Sequence, residues 1–293
     1  MKSGFVAVLG RPNVGKSTLL NNIMGEKLSI ISNKPQTTRN KIQLIYTDDD
    51  SQIIFLDTPG IQDPRNKLGE YMLSESKSSL EDADVVMYLV DNSDFIGKHD
   101  SKIIEDLRGI KTPVVLVINK IDEINNDKLM EIIAMYDSED VFEEIVPISA
   151  INGENIGKLL ELLKDKLPEG PYYYPEDQIT DQSERFIVSE IIREKTLQFL
   201  DEEVPHGINV EIESMKEDEE SGLLRIDATI YAEKDSHKGI VIGKNGAMLK
   251  RIGREARKEI EVFLDTKVLL KLWVKVEKNW RDKSNKVKYF GYK

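Results

Sequence analysis

The chain has 293 residues, of which 40% are hydrophobic and 32% are charged, with a formal net charge of −12 at pH 7. This length suffices for about two domains of ordinary size. The absence of cysteine excludes disulfides, thiolate nucleophiles and zinc–thiolate sites, and no stretch is apolar over the ~20 residues that a membrane span needs.

The charge is unevenly distributed along the chain. Residues 234–293 contain 17 Lys and Arg against 7 Asp and Glu, whereas residues 1–233 contain 24 basic and 46 acidic residues. An acidic body with a basic end predicts a polyanionic partner for that end. The alternative is a solvated basic face without a partner. We expect a soluble protein without a signal peptide, and a reducing cytosol suits its lack of cysteine.

The first part of the chain alternates apolar runs with helical patterns. The β-branched runs FVAVLG, IIFLDTPG, VVMYLVDNS, PVVLVINKID and IVPISA predict parallel strands buried on both faces. The turn TDDDS predicts an antiparallel hairpin around IIFLD, and IGKLLELLKDKL predicts a closing helix. Residues 1–167 therefore predict a doubly wound α/β domain, with a mostly parallel sheet and its ligands at the carboxyl ends of the strands.

A second domain is predicted after a linker at residues 168–183, which contain three prolines and three consecutive tyrosines. The alternative for this stretch is a capping segment laid across both domains. SERFIVSEIIREKTLQFL predicts an amphipathic helix with Ser183 as its N-cap. Residues 184–293 then predict the order α-β-β-α-α-β, a compact α+β domain with a basic tail. Alternation predicts that one face of a strand buries Leu224, Ile226, Ala228 and Ile230, and helical spacing predicts one face with Leu249, Ile252, Ala256, Ile260 and Phe263.

The stretch GRPNVGKST fits the phosphate-loop pattern G-x-x-x-x-G-K-[ST] and lies between a predicted strand and a predicted helix. Its backbone N–H groups would surround phosphates, Lys16 would reach the β- and γ-phosphates, and Ser17 would ligate Mg²⁺. The alternative is an ordinary tight turn. The predicted nucleotide-binding residues here are Gly10, Arg11, Pro12, Asn13, Val14, Gly15, Lys16, Ser17 and Thr18.

Three further motifs follow in the order that such a site requires. In DTPG, Asp57 would hold Mg²⁺ through water and the Gly60 N–H would sense the γ-phosphate. In NKID, Asp122 can accept both N–H donors of the guanine N1 and N2 edge, which adenine lacks, so GTP and GDP are the predicted ligands. The remaining predicted contacts are Asn119, Lys120, and the backbone N–H groups of Ser149 and Ala150 facing guanine O6.

The polar segment KPQTTRNK occupies the position of a switch between the first helix and the hairpin. We expect Thr38, with Thr37 as the alternative, to ligate Mg²⁺ when GTP is bound. A solvated loop is the other interpretation. The predicted catalytic residues are Lys16, Thr38 and Gly60.

With these motifs the chain resembles the translation-factor-related P-loop GTPases. It departs from the Ras and Gα type, because Ile61 stands directly after DTPG where that type has the glutamine that orients water. Gln62 is displaced by one residue, so we expect slow intrinsic hydrolysis. Asn13 resembles the asparagine that helps some related GTPases to hold K⁺; the alternative is that asparagine merely suits the turn.

A second glycine–lysine loop, GKNG, lies between two predicted helices. Together with IVIG before it, it resembles a KH domain of the second topological type, in which G-x-x-G approaches a nucleic-acid backbone. The tail NWRDKSNKVKYFGYK would either stack on bases or pack on the domain. The predicted RNA-binding residues are Gly243, Lys244, Asn245, Gly246, Lys250 and Arg251.

The combination of GRPNVGKSTL, QTTR, DTPG, NKID and SA with a KH domain is similar to the Era family of bacterial GTPases over essentially the whole chain. The resemblance implies binding to the 3′ end of 16S ribosomal RNA and a role in maturation of the 30S subunit. It also implies a cytoplasmic protein, partly peripheral on the inner face of the membrane, and we expect a monomer.

Two rival interpretations remain open from the sequence. The basic C-terminal domain could dock on a membrane or a protein instead of RNA, although a lipid patch needs no G-x-x-G loop. Alternatively, Ile61 leaves room for a binding module that does not hydrolyse GTP.

Overall fold

The computed structural model describes residues 1–31, 34, 37–219 and 222–292. The chain divides into two compact units, and each unit contains segments that are distant in sequence. The first unit comprises Met1–Ser29, Thr38–Asp63 and Met72–Asp181, and the second comprises Ile30–Thr37, Pro64–Tyr71 and Gln182–Lys293.

A six-stranded sheet forms the centre of the first unit. Its strands are β1 (Lys2–Leu9), β2 (Ile42–Thr47), β3 (Ser51–Asp57), β4 (Val85–Val90), β5 (Val114–Ile118) and β6 (Glu144–Pro147). They lie in the order β2-β3-β1-β4-β5-β6. Only β2 is antiparallel to its neighbour, with Ile42 opposite Asp57. The predicted parallel sheet with one antiparallel hairpin is therefore confirmed.

Five helices accompany this sheet. They are α1 (Lys16–Met24), α2 (Lys67–Glu81), α3 (Lys98–Arg108), α4 (Asn126–Asp137) and α5 (Ile156–Lys166). All residues of β4 and β5 are buried, because a parallel sheet is covered on both faces by its crossover helices. The carboxyl ends of β1, β3 and β5 carry the phosphate loop, DTPG and NKID, so one edge of the sheet collects the predicted motifs.

The predicted linker packs largely on the first unit. The buried side chain of Gln52 accepts hydrogen bonds from the N–H groups of Tyr173 (2.8 Å) and Tyr174 (3.0 Å). Thr180 forms an isolated bridge with Leu44. Residues up to Asp181 therefore belong to the first unit.

The second unit is an α+β fold. Its elements are α6 (Glu184–Phe199), β7 (Asn209–Glu217), β8 (Leu224–Ala232), α7 (Asp235–Ile242), α8 (Ala247–Phe263), β9 (Val268–Val276) and α9 (Ser284–Tyr289). The predicted order α-β-β-α-α-β is confirmed, and so is the N-cap, since Ser183 accepts a hydrogen bond from the N–H of Phe186. The sheet order is β7-β8-β9, with β9 parallel to β8.

The core of the second unit lies between this sheet and its helices. Ile226, Ala228 and Ile230 alternate inward on β8, as predicted, and meet Ile252 and Ile260 of α8. Helix α6 departs from the predicted amphipathic pattern, because ten of its residues are buried, including four charged ones.

The C-terminal tail packs on the second unit. Trp280 is fully buried and its Nε1 donates to the carbonyl of Gly207 at 2.9 Å. The Tyr292 ring stacks on it, with the ring centroids 6.0 Å apart. These two aromatic side chains therefore stabilise the fold rather than offer surfaces for bases. Among the described residues, no helix has the length and hydrophobicity to cross a membrane.

Candidate functional site

The phosphate loop is formed by backbone conformations that require its glycines. Gly10 has φ +151° and Gly15 has φ +104°. A Cβ atom on Gly10 would lie 2.4 Å from the carbonyl oxygen of Leu89, and one on Gly15 would lie 2.2 Å from Nδ2 of Asn119. Asn13 is exposed with φ +67°, which asparagine tolerates better than most side chains. Glycine is needed here both for conformation and for space.

Lys16 is buried within this loop. Its Nζ donates to the carbonyl oxygens of Gly10 (3.0 Å) and Arg11 (3.1 Å). Burial lowers the pKa of Lys16 to about 8, although the nearby Asp57 carboxylate opposes this shift. An ammonium buried against carbonyl oxygens favours a bound anion, and phosphate is the anion that such a loop accommodates.

Asn119 connects three of the predicted motifs. Its Nδ2 donates to the carbonyl of Val14 at 2.8 Å, and its Oδ1 accepts from the N–H of Ala150 at 2.9 Å. The Ser149 hydroxyl donates to Asp122 Oδ1 at 2.5 Å, which orients a partly exposed carboxylate. Lys120, with φ +66°, turns the chain between these groups. The predicted guanine-recognising residues are thus brought together.

Asp57 has an incompletely satisfied carboxylate at the end of β3. It is fully buried, its Oδ2 accepts from the Ser29 hydroxyl at 2.9 Å, and its Oδ1 has no partner among the described residues. Burial raises its pKa to about 6, while Lys16 and the Ser29 hydrogen bond oppose this shift. A buried, unpartnered carboxylate oxygen fits the water shell of a bound cation. Ser29 was not identified from the sequence, because an isolated serine carries no recognisable motif.

Thr38 rather than Thr37 lies beside the phosphate loop. The Thr38 and Ser17 hydroxyl oxygens are 3.4 Å apart, whereas the Thr37 hydroxyl donates to the carbonyl of Lys34. Two oxygens bound to one Mg²⁺ at about 2.1 Å each can be no more than about 4.2 Å apart. Ser17, Thr38 and Asp57 therefore fit a magnesium site. Pro35 and Gln36 of the predicted switch lie outside the described residues.

The segment after DTPG contacts the phosphate loop through its backbone. A Cβ atom on Gly60 would lie 2.8 Å from the Pro12 nitrogen, and the Ile61 N–H donates to the carbonyl of Gly10. The Ile61 side chain packs against the apolar core, so it cannot orient water. The Nε2 atom of Gln62 is buried and has no partner among the described residues.

The side chain of Arg11 is directed to carboxylates of the first unit. Its Nε lies 2.8 Å from Oδ2 of the buried Asp100, and its Nη2 lies 3.0 Å from Asp91. Tyr88 donates to the same Asp100 at 2.7 Å. This arrangement favours the backbone of Arg11, rather than its side chain, as the contact to phosphate. The sequence could not reveal this pairing, because the acidic partners lie 80 and 89 residues away.

The second glycine–lysine loop has a different geometry. Gly243 (φ +72°) ends α7, Asn245 has φ +52°, and Gly246 (φ +76°) precedes α8. A Cβ atom on Gly243 would lie 2.7 Å from Cβ of Met248, whereas the space beside Gly246 is open. Lys244 and Asn245 are exposed. The loop therefore presents its backbone and one lysine to the solvent.

A groove of about 790 Å³ begins at this loop and runs between α8 and β9. Its floor is apolar and its rim is basic. The lining residues are Gly246, Ala247, Leu249, Lys250, Arg251, Gly253, Arg254, Arg257, Leu270 and Leu272. Lys250 and Arg251, two of the predicted RNA-binding residues, line the groove, and so do Arg254 and Arg257, which were not among the predicted RNA-binding residues. Such a groove suits a single strand with stacked bases and a phosphate backbone.

These observations define a class: a P-loop GTP-binding domain followed by a KH domain. The family profile described as a 50S ribosome-binding GTPase matches residues 5–120, and the KH domain profile matches residues 203–281. The GTPase Era of Clostridioides difficile is 54% identical over 99% of this chain and 98% of its own. The GTPase Era of Clostridium botulinum (strain Alaska E43) is 59% identical over 100% of this chain and 99% of its own.

Two solved structures are similar over the same extent. An Aquifex aeolicus Era variant bound to GDP·AlF₄⁻ has a TM-score of 0.96 at 42% identity, covering 100% of this chain and 99% of that one. An Era complex with MgGDPNP and nucleotides 1506–1542 of 16S ribosomal RNA has the same TM-score, identity and coverage. The chain belongs to the Era family of GTPases.

Proposed function

We propose that the protein is a GTP-hydrolysing switch that binds the 3′ end of 16S ribosomal RNA and acts in maturation of the 30S subunit. The observation that carries the proposal is the presence, in one chain, of a complete GTP site and a basic-rimmed groove at a G-x-x-G loop. The related Era bound to MgGDPNP and 16S ribosomal RNA supports both ligands. We place this activity in the cytoplasm.

The residues of the first unit divide into three roles. Lys16 and the backbone N–H groups of residues 10, 11 and 13–18 would bind the phosphates, and Asp122 with Asn119 and Lys120 would select guanine. Ser17 and Thr38 would hold Mg²⁺ directly and Asp57 through water; when bound, the ion supplies positive charge to the β- and γ-phosphates. Gly60 lies against Pro12 of the phosphate loop, and its N–H would sense the γ-phosphate.

Because Ile61 packs in the core, another group must position the attacking water. We propose K⁺ beside Asn13 as a contributor, since the Asn13 side chain is exposed at the phosphate loop. Turnover should then be faster in K⁺ than in Na⁺, and Asn13→Gly should abolish this difference while it retains the left-handed turn. Equal rates in the two salts would refute the potassium site.

The proposed function is tested by GTP turnover with and without a short single-stranded RNA that matches the 3′ end of 16S ribosomal RNA. The groove variant combines Lys244→Ala, Lys250→Ala and Arg254→Ala, three exposed residues. The control combines Lys258→Ala, Lys267→Ala and Lys278→Ala, exposed lysines outside the groove lining. Loss of three phosphate contacts should weaken RNA binding by roughly 100-fold at 0.1 M salt and remove RNA stimulation.

The same experiment separates the rival functions. Turnover without any RNA binding would favour the alternative in which the basic unit docks on a membrane or a protein; anionic lipid vesicles replace RNA in that arm. Peripheral membrane contact is a further proposal, which vesicle co-sedimentation checks. We also propose a monomer, which light scattering tests. Absence of turnover in K⁺ with RNA present would favour a module that binds GTP without hydrolysing it.

A further inference from the structure

Helix α6 of the second unit buries an unusual set of charged side chains. Arg193 is 1% exposed and Glu194 is 0% exposed. Arg193 Nε donates to Glu190 Oε1 at 2.7 Å, and Lys195 Nζ donates to Glu194 Oε1 at 3.1 Å. Buried charges are costly unless they are paired and hydrogen-bonded, so a helix that only filled the core would have apolar residues at these positions.

These buried charges bind the backbone at Ile31 and Thr37. Both residues belong to the segment 30–37 of the same unit, which we call the switch segment. The Nη2 atom of Arg193 donates to the carbonyl of Thr37. Glu194 Oε2 accepts from the N–H of Ile31 at 3.1 Å. An exposed ion pair of 2.8 Å joins Lys34 to Asp201, just beyond the end of α6. The contacts thus hold both ends of the switch segment.

The two residues that flank the switch segment belong to the candidate magnesium site. Ser29, which precedes it, donates to Asp57, and Thr38, which follows it, lies beside Ser17. A displacement of the Thr37 carbonyl moves the adjoining Thr38, because a single peptide bond joins the two residues. The Arg193 contact therefore acts on the position of a predicted metal ligand without touching the ligand itself.

Helix α6 also supports the RNA groove. The guanidinium of Arg251, a groove residue, lies 4.1 Å from the ring centroid of Phe199, the last residue of α6. Lys195 pairs with Glu259 of α8, the helix that forms one wall of the groove. One rigid helix thus carries contacts to the groove at its end and contacts to the switch segment along its length.

We propose that Arg193 and Glu194 are positioning residues for GTP hydrolysis, through which occupancy of the groove affects the switch segment. The second half of this inference rests on the proposed RNA function, whereas the first half does not. The guanidinium is required because one side chain must reach both the Glu190 carboxylate and the Thr37 carbonyl. An ammonium has no such fork.

The test variant is Arg193→Lys, which keeps the positive charge beside Glu190 and loses the fork. The matched control is Arg185→Lys on the same helix. Arg185 also donates to backbone carbonyls, but these belong to Ile212 and Glu213 of β7. The thermal transition and RNA affinity of both variants, measured without nucleotide, establish that the second unit is folded.

The first readout is hydrogen exchange of residues 30–38 in the nucleotide-free protein. Loss of a charge-assisted hydrogen bond should speed exchange about tenfold in Arg193→Lys and leave it unchanged in Arg185→Lys. The second readout is turnover without RNA: kcat should fall about fivefold to tenfold, while the KM for GTP stays within about twofold. Unchanged exchange, or a kcat equal to or above that of the wild type, would overturn the inference.

The third readout is the ratio of RNA-stimulated to basal turnover at saturating RNA. It should fall at least threefold in Arg193→Lys, with RNA affinity within about twofold of the wild type. An unchanged ratio would refute the connection from groove to switch segment. If the wild type binds no RNA, the proposed function fails, whereas exchange and basal turnover still decide the role of Arg193.

Discussion

The two glycine–lysine loops of this protein present their lysines in opposite ways. In the first loop, Lys16 is buried and hydrogen-bonded to backbone carbonyls, between a strand and a helix. In the second, Lys244 is exposed at the junction of two helices. The same residue types therefore give an enclosed site for a nucleotide and an open edge for a strand. The difference lies in which elements precede the loop.

The burial of each lysine determines how much it is expected to contribute to phosphate binding. Burial removes hydration from the Lys16 ammonium and thereby lowers its pKa to about 8, although the nearby Asp57 opposes this shift. A phosphate that enters the loop restores favourable interactions in a low-dielectric environment. Lys244 keeps its hydration, so it contributes mainly by the release of one counterion. Matched lysine substitutions in the two loops should thus have very different effects.

The largest effect is expected for Lys16→Ala. Truncation of one partner of a buried charge pair costs about 2–5 kcal/mol, so GTP affinity should fall by roughly 30-fold to several thousand-fold. Titration with a fluorescent GTP analogue measures this loss. Lys111→Ala, an exposed lysine of the same unit, serves as the control. A loss of GTP affinity smaller than fivefold would show that the burial of Lys16 does not determine how strongly the first loop binds phosphate.

A pH dependence is expected from Asp57, whose pKa burial raises to about 6. Below pH 6 the proton competes with Mg²⁺, so magnesium-dependent GTP affinity should fall by about tenfold per pH unit. In the nucleotide-free protein a lower pH has the opposite effect, because protonation of Asp57 favours the folded state. The folded pKa lies above the unfolded value of 3.8, so the native state binds more protons, and the contribution of Asp57 to stability decreases as pH rises from about 4 to 6.

Asp57→Asn is the control for this prediction, because it keeps the volume and removes the titration. GTP affinity of the variant should be weaker at pH 7.5 and nearly constant between pH 5.5 and 7.5. Isothermal titration with MgGTP in matched buffers gives both curves. A wild-type affinity that is constant across this range would contradict the assignment of Asp57 to the magnesium site.

Much of the fold and of the GTP site could be predicted from local patterns. Continuous β-branched apolar runs identified the strands of the sheet, and the loop around Lys16 was recognised because its residue types occur at a fixed spacing. Ser29 and the pairing of Arg11 with Asp100 were missed, since the fold brings together residues that no short motif links. The amphipathic prediction for α6 failed for the same reason: Arg193 and Glu194 look like surface residues until their partners at Thr37 and Ile31 are known.

The groove between α8 and β9 shows a similar limit of prediction from the sequence. Helical spacing showed which residues of α8 face the core, but it did not reveal that Arg254 and Arg257 face β9 across the groove. That depends on the parallel pairing of β9 with β8, and Leu270 and Leu272 of β9 line the same groove as these arginines. Pairing between strands separated by a helical hairpin is a tertiary property.

The smallest effect is expected for Lys244→Ala alone. Each phosphate contact to a single strand contributes about 0.7 to the slope of log affinity against log salt, so the variant should bind RNA about fivefold more weakly at 0.1 M salt. The slope should decrease by about 0.7, which fluorescence anisotropy across a salt series measures. Lys267→Ala, in the turn before β9 and outside the groove lining, should leave the slope unchanged. Lys244→Ala could instead lower RNA affinity as much as Lys16→Ala lowers GTP affinity, with no dependence on salt. That result would mean that bound RNA buries the second loop as fully as the fold buries the first.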